Sequence, residues 1–171
     1  ISGLSTLVDN TATKVLYLNQ SDVSQMSVLD IKNNSSTSIT PATFPEKCVW
    51  SKKDTNIIYC AVPWELIYAD SLTSWYRGSI SFTDDIWKYD IKNNNSTLVG
   101  SLFTGSNEKI DVIKPILSEN EQYIVFINKI DKPDADVPDA IKMIREQLSD
   151  HAHVVDFSAS DFIESVAESD D

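Results

Sequence analysis

The chain has 171 residues, of which 42% are hydrophobic and 23% are charged, and its net charge is −12. This composition is typical of a folded soluble protein and excludes a chain that is disordered throughout. Nucleic acid is not an expected partner, because phosphates are neutralised by clustered basic residues, and the 14 Lys and Arg here are scattered among 26 Asp and Glu. No apolar run approaches the length that crosses a bilayer, so no membrane span is expected in this chain.

Short antiparallel strands are the expected secondary structure from residue 14 onward. Short apolar runs alternate there with Asn, Ser, Thr and Asp, and helices are not expected before residue 99. Only 4 Gly are present, so the turns depend on Asn, Asp and Ser. The predicted strands are Val15–Asn19, Met26–Ile31, Thr37–Ile39, Cys48–Ser51, Ile57–Val62, Ile86–Ile91, Thr97–Leu102, Val112–Leu117 and Tyr123–Asn128.

The stretch Pro45–Pro63 predicts a β-hairpin that contains the only two cysteines of the chain. If the turn is centred on Asp54, Cys48 faces Cys60 on the neighbouring strand. Facing residues of antiparallel strands have Cα atoms roughly 4.5–5.5 Å apart, which suits a disulfide. We therefore predict a Cys48–Cys60 disulfide and an extracytoplasmic location, in the periplasm, at the cell surface or secreted. The alternative is a pair of buried free thiols.

Two segments of the chain recur in the same order. Residues 26–39 align without gaps on residues 86–99, and the sequence Asp-Ile-Lys-Asn-Asn is identical in both copies. The hairpin also recurs, because Trp50–Cys60 aligns on Leu117–Ile127 when Ser51 is matched with Ser118. Such repetition predicts a protein built from repeated structural units.

The repeated patterns resemble the blades of TolB-like and WD-repeat-like β-propellers, in particular those of uncharacterised bacterial extracytoplasmic proteins. An apolar residue and Ser precede a turn and an apolar strand, and Ile86-Trp-Lys-Tyr-Asp-Ile-Lys-Asn-Asn94 follows. The resemblance covers about residues 14–129, although residues 52–54 and 119–121 replace the Pro-Asp-Gly turn of the family. It implies four-stranded antiparallel blades. About two and a half blades fit, which predicts a partial propeller over residues 1–129.

A long insertion at residues 64–85 interrupts the repeat and contains the candidate binding residues. Aromatic and Arg side chains give a large contact area at a low entropic cost, so this loop is expected to contact a protein or glycan partner. Alternatively, the aromatic residues cover a sheet edge. The acidic pair Asp84-Asp85 is expected to lie in a solvated turn rather than in a Ca²⁺ site. The candidate contact residues are Trp64, Tyr68, Trp75, Tyr76 and Arg77.

The pattern of apolar and polar residues changes after Asn128, and residues 130–171 predict a small helical or α/β tail with a disordered acidic end. Asn128-Lys129-Ile130-Asp131 and the later Ser158-Ala159 resemble the guanine-recognition end of translational GTPases. This resemblance implies binding of GTP or GDP by Asn128, Lys129, Asp131, Ser158 and Ala159. Hydrolysis is not expected, because no Gly-x-x-x-x-Gly-Lys-Ser/Thr phosphate loop is present in the sequence.

Together these observations predict a mainly β fold, an antiparallel β-meander of propeller-type blades followed by a short α/β tail. The predicted function is that of a non-enzymatic binding or scaffold module, with no catalytic residues, no metal and no cofactor. Two alternatives are a degenerate GTPase-derived fragment with a guanine-binding motif, and a truncated or fused fragment without independent function.

Overall fold

The computed structural model describes residues 4–19, 22–107 and 109–128 of the chain. The described part is mainly β, as the sequence predicts, and it also contains two short helices, α1 and α2, and a 3₁₀ turn at Pro45–Lys47. The strands are β1 Leu4–Val8, β2 Lys14–Asn19, β3 Asp22–Asp30, β4 Ser35–Ile39, β5 Cys48–Trp50, β6 Ile57–Pro63, β7 Asp84–Asp90, β8 Asn95–Ser101, β9 Val112–Leu117 and β10 Ile124–Asn128, and the helices are α1 Ser71–Tyr76 and α2 Leu102–Ser106.

The strands form three antiparallel sheets in chain order. Sheet 1 contains β1 to β4, sheet 2 contains β5 to β8, and sheet 3 contains β9 and β10. Each strand pairs with the next strand in its sheet, so sheets 1 and 2 are four-stranded meanders. In the described part of the chain none of the sheets closes on itself.

The nine predicted strands correspond to β2 through β10, with bounds that differ by a few residues. Strand β1 was not predicted, because its sequence Leu-Ser-Thr-Leu-Val lies before the first recognised run. The expectation of no helix before residue 99 is wrong, since α1 lies at Ser71–Tyr76. A helix of six residues is too short to show a helical period in the sequence.

The repeated Asp-Ile-Lys-Asn-Asn sequences form the same turn in sheets 1 and 2. The backbone N–H of Asn33 donates to Oδ1 of Asp30 at 2.9 Å, and that of Asn93 donates to Oδ1 of Asp90 at 3.0 Å. These hydrogen bonds lower the pKa of both carboxyl groups. The last residue of each turn is left-handed, with φ of 50° at Asn34 and 48° at Asn94.

All three sheets begin with the same kind of hairpin, including sheet 1, where the sequence comparison missed it. The strands pair immediately before and after the turn as Val8↔Val15, Trp50↔Ile58 and Leu117↔Ile124. The turn of sheet 3 is therefore one residue shorter than that of sheet 2. As a result, Cys60 corresponds to Phe126 in the structure, and the sequence alignment is wrong by one residue after the turn.

The predicted register of the cysteine hairpin is confirmed. Cys48 faces Cys60 across β5 and β6, with Cα atoms 4.0 Å apart, and the two residues form a disulfide. Both cysteines are buried in the core between sheets 1 and 2, together with Leu16, Leu18 and Ile58. The bond therefore links the edge strand β5 to its neighbour β6 inside a hydrophobic environment.

The described residues belong to one structural unit, Ile1–Lys129. The predicted tail at residues 130–171 lies outside the described residues, so its fold and the predicted boundary after residue 129 stay predictions. No helix in the described ranges is both long enough and apolar enough to span a membrane.

Candidate functional site

A fully buried cluster of three charged side chains lies where the 64–85 insertion ends. Lys47 ends the 3₁₀ turn, Asp84 begins β7, and Asp111 immediately precedes β9. Nζ of Lys47 lies 2.6 Å from Oδ2 of Asp84 and 2.7 Å from Oδ1 of Asp111, and the three side chains are at most 1% exposed. This charge cluster joins residues that are 37 and 64 positions apart in the sequence.

The charge cluster also fixes the insertion to the core. Nε1 of Trp75 donates to both carboxylate oxygens of Asp111, at 2.9 and 3.0 Å, and the backbone N–H of Phe82 donates to Oδ2 of Asp111 at 3.0 Å. Nζ of Lys47 lies 4.9 Å from the ring centroid of Trp75 and 5.0 Å from that of Phe82, within the range of cation–π attraction. Helix α1 and the strand that follows are thus held by the same buried ions.

Asp84 has an unusual environment for a carboxylate. Its Oδ2 accepts from Lys47 and from the backbone N–H of Val112 at 2.7 Å, whereas its Oδ1 has no hydrogen-bond partner among the described residues. Burial raises the pKa of Asp84 to about 6, although the nearby Lys47 opposes the shift. The predicted solvated turn at Asp84 is therefore wrong, because this residue starts a strand in the core and pairs with Lys47.

The first part of the insertion is an exposed loop that two kinds of contact hold in place. The backbone N–H of Trp64 donates to the carbonyl of Thr83 at 2.8 Å. The Glu65 carboxylate accepts from the backbone N–H of Thr83 at 3.0 Å and from its hydroxyl at 3.2 Å. The ring of Trp64 meets that of Phe103 in α2 edge-on, with centroids 5.4 Å apart. The two ends of the insertion are therefore tied together at Thr83.

This loop exposes three large apolar side chains, which we call the apolar loop surface: Trp64 at 53%, Leu66 at 77% and Tyr68 at 62%. The loop is further fixed at Tyr68, whose backbone N–H donates to the hydroxyl of Ser71 at 2.8 Å. Leu66 was not among the predicted contact residues, because the prediction relied on aromatic and Arg side chains alone. Its exposure is the largest among the exposed large hydrophobic residues of the described part.

The other predicted contact residues lie in or beside α1. Tyr76 is 65% exposed and Arg77 is exposed, whereas Trp75 is only 2% exposed and packs against Phe44. Burial and the neighbouring Glu46 carboxylate raise the pKa of Tyr76. Trp75 is therefore a core residue that anchors α1 and is not part of an exposed contact surface.

The structure does not gather the predicted contact residues around one point. Glu46, the neighbour of Tyr76, accepts a hydrogen bond from the hydroxyl of Ser5 in β1 at 2.7 Å, so Tyr76 lies on the side of sheet 1. Trp64 instead packs on Phe103, which follows the last strand of sheet 2. The apolar loop surface and the Tyr76-Arg77 pair are thus two separate candidate contacts.

The guanine-recognition hypothesis falls almost wholly outside the described residues. Asn128 is the last residue of β10, and nothing is described for Lys129, Asp131, Ser158 or Ala159. Binding of GTP or GDP by these residues therefore stays a prediction from the sequence.

In comparisons with known proteins, no family model, no curated protein and no solved structure matches the chain.

Proposed function

We propose that this chain is a non-enzymatic binding or scaffold module built from propeller-type sheets, and that it contacts a protein or glycan partner through the apolar loop surface. The observation that carries the proposal is the exposure of Trp64, Leu66 and Tyr68 on a loop with a defined conformation. Three large apolar side chains exposed within five residues of one loop are more than scattered single exposures, and such concentrations are typical of an interaction surface.

The anchoring of the loop supports this proposal. A binding surface that is already ordered loses less conformational entropy when the partner arrives. The Glu65–Thr83 hydrogen bonds, the Trp64–Phe103 ring contact and the hydrogen bond from Tyr68 to Ser71 supply this order. Behind the loop, the buried charge cluster fixes α1. Tyr and Trp are also the residue types that carry most binding energy at protein interfaces.

Propeller architecture is the fold that we propose for the described residues. Successive four-stranded meanders with equivalent hairpins are the arrangement expected of propeller blades. Strand β5 contacts β9, and β1 contacts the 3₁₀ turn before β5, so the first strand of each of these sheets lies beside the start of the next sheet. The buried disulfide further supports an extracytoplasmic location for the protein, since such bonds persist in oxidising compartments.

The test is a binding screen with the full chain against a glycan array and against photo-crosslinked cell-envelope proteins. We expect a partner whose affinity falls at least about 30-fold in Trp64→Ala and in Tyr68→Ala, as for interface hot spots. Leu98→Ala is the matched control, because Leu98 is 47% exposed on β8, away from the loop. A partner that binds all three variants equally would refute the assignment of the surface.

Titration with labelled GDP discriminates this proposal from the guanine-binding alternative. A binding module of the proposed kind does not bind GDP, whereas the alternative requires guanine-selective binding that is lost in Asp131→Ala. Micromolar binding with that behaviour would replace the proposed function with the alternative.

A further inference from the structure

The three sheets stack in the same orientation, and the equivalent positions of their hairpins show which faces correspond. Val15, Ile58 and Ile124 are equivalent first paired residues after the hairpin turns. The residues one position later are therefore equivalent as well, and so are those three positions later, which point to the same face. These two sets are Leu16, Tyr59 and Val125, and Leu18, Ala61 and Ile127. We call the face that carries these residues the forward face of each sheet, and the opposite face the rear face.

Inside the molecule, each forward face packs against the rear face of the following sheet. Leu16 and Leu18 on the forward face of sheet 1 are fully buried in one core with Ile58 and Cys60 on the rear face of sheet 2. The indole Nε1 of Trp50, on the same rear face, donates to the carbonyl of Leu7 in sheet 1 at 3.2 Å.

The second interface follows the same rule. Ala61 on the forward face of sheet 2 lies in one hydrophobic cluster with Ile124 and Phe126 on the rear face of sheet 3. Two consecutive interfaces therefore use the same pair of faces in the same order. Forward-to-rear stacking is thus a repeated property of these sheets rather than a feature of one contact.

Among the described residues, the first and last sheets of the stack each have one face, of opposite kinds, with exposed apolar side chains. On the forward face of sheet 3, the exposed large apolar residues are Ile116 at 47%, Tyr123 at 63%, Val125 at 43% and Ile127 at 53%. On the rear face of sheet 1 they are Leu4 at 64% and Val8 at 50%. The contrast with the interior is direct, because Val125 and Ile127 are the counterparts of Leu16 and Leu18, which are 0% exposed.

We propose that a second copy of this chain stacks the rear face of its sheet 1 on the forward face of sheet 3. The exposed faces are the same two kinds that pack together twice inside one copy, so each copy carries both halves of the contact. Two reciprocal contacts related by a twofold axis cover both of these faces in each copy. The described sheets of the two copies then number six, within the range of about 4–8 blades in known propellers. This inference does not depend on the apolar loop surface.

The mass of the full chain in solution tests the proposal. We expect a dimer of twice 19.1 kDa by sedimentation or light scattering at up to about 100 µM, a concentration at which interfaces of standard size are associated. Val125→Asp places a negative charge on the forward face of sheet 3, and Val8→Lys places a positive charge on the rear face of sheet 1. Each substitution alone should give a monomer that keeps the wild-type circular dichroism, since both residues are about half exposed.

Mixing the two variants tests which faces meet. The Val8→Lys chain keeps an intact sheet 3 and the Val125→Asp chain keeps an intact sheet 1, so a mixed dimer has one unaltered contact. Its other contact carries the two introduced charges, which are of opposite sign, so the mixed dimer should form. Leu98→Lys, at a 47% exposed position outside both end faces, should leave the wild-type dimer unchanged. A monomeric wild-type chain, a dimer that tolerates either end-face substitution, or two variants that stay monomeric when mixed would each overturn the proposal.

Discussion

The repeated Asp-Ile-Lys-Asn-Asn turns and the 64–85 insertion are held in place in opposite ways. In the turns, the side chain of Asp30 or Asp90 accepts hydrogen bonds from the Asn three residues later, at the protein surface. In the insertion, Trp75 and Phe82 bond to Asp111, about 30 residues further along the chain and fully buried. The turns are thus encoded locally, whereas the insertion depends on residues that the sequence gives no reason to connect.

This difference has an energetic consequence. Each turn stabilises only its own hairpin, so a substitution there should have a modest and local effect. The charge cluster contacts four elements at once, namely the 3₁₀ turn, α1, β7 and the start of β9. We therefore expect substitutions in the cluster to lower the stability of the whole described unit.

Lys47→Met should destabilise the protein more than a substitution in either turn or the loss of the disulfide. It removes the ammonium group that bridges Asp84 and Asp111, and leaves two carboxylates buried without it. Loss of one partner from a buried ion pair costs about 3–5 kcal/mol, and we expect a decrease of this size in the free energy of unfolding at pH 7. Urea denaturation followed by Trp fluorescence measures it.

Lys52→Met is the matched control, because the Lys52 side chain is exposed in the β5–β6 turn. It should change the free energy of unfolding by less than about 0.5 kcal/mol. The cost of Lys47→Met should also shrink at acidic pH, where the Asp84 carboxyl, whose pKa burial raises, takes up a proton. An equal cost at pH 4.5 and pH 7 would show that lost packing, rather than lost charge, explains the effect.

The equivalent hairpins of sheets 2 and 3 differ in that only the hairpin of sheet 2 contains a disulfide. At the positions of Cys48 and Cys60 in sheet 2, sheet 3 has Pro115 and Phe126, which pair without a covalent bond. Replacing both cysteines with Ala should lower the free energy of unfolding by about 3 kcal/mol, because the bond closes a loop with a sequence separation of 12. Urea unfolding without reductant measures this loss. Two titratable thiols in freshly purified native protein would contradict the predicted bond.

The sequence predicted those parts of the fold that follow from local patterns. Short apolar runs between polar turn residues located nine of the ten strands in the described part of the chain, and the spacing around Asp54 located the disulfide. Strand β1 was missed, because in Leu4–Val8 the polar residues Ser5 and Thr6 interrupt the apolar run. Helix α1 was missed because six residues show too little periodicity.

The charge cluster could not be predicted from the sequence for a different reason. Lys and Asp are almost always exposed, so Asp84 was expected in a solvated turn and nothing in the sequence singled out Lys47. Their burial becomes evident only when sheets 2 and 3 bring distant residues together. Likewise, Trp75 resembles its aromatic neighbours in the sequence, and only its bond to Asp111 distinguishes this anchor from a surface residue.

The pKa of Asp84 gives the charge cluster a pH dependence opposite in sign to that of the turns, where the pKa values of Asp30 and Asp90 are lowered. In the folded protein the pKa of Asp84 is about 6, above its ordinary value of 3.8. The folded state therefore holds the proton more tightly than the unfolded state, and Asp84 lowers the stability increasingly as pH rises from about 4 to about 6. The total change is on the order of 3 kcal/mol at most.

Asp84→Asn isolates this contribution, because Asn keeps the size of the side chain and does not titrate. The wild type should lose unfolding free energy relative to the variant as pH rises from 4 to 7. Thermal or urea unfolding at a series of pH values measures the difference, in which the titration of other groups cancels. A difference that stays constant over this range would contradict the raised pKa of Asp84.

The smallest effects are expected at the left-handed residues of the repeated turns. Asn34 and Asn94 have φ of 50° and 48°, a conformation that Asn tolerates and β-branched residues strongly disfavour. Asn34→Val and Asn94→Val should each cost about 1–2 kcal/mol, whereas the Gly substitutions should be nearly neutral because Gly adopts this conformation freely.

The two Val variants should also be nearly equal in cost, because the turns have the same geometry in sheets 1 and 2. Urea unfolding of each variant measures the cost. Asn95→Val is the control, since Asn95 is the exposed first residue of β8 and is not among the residues with positive φ, so Val suits its strand conformation. If the costs of Asn34→Val and Asn94→Val differed by more than the change that Asn95→Val causes, the turns would be coupled to their surroundings. The contrast between local turns and a long-range charge cluster would then fail.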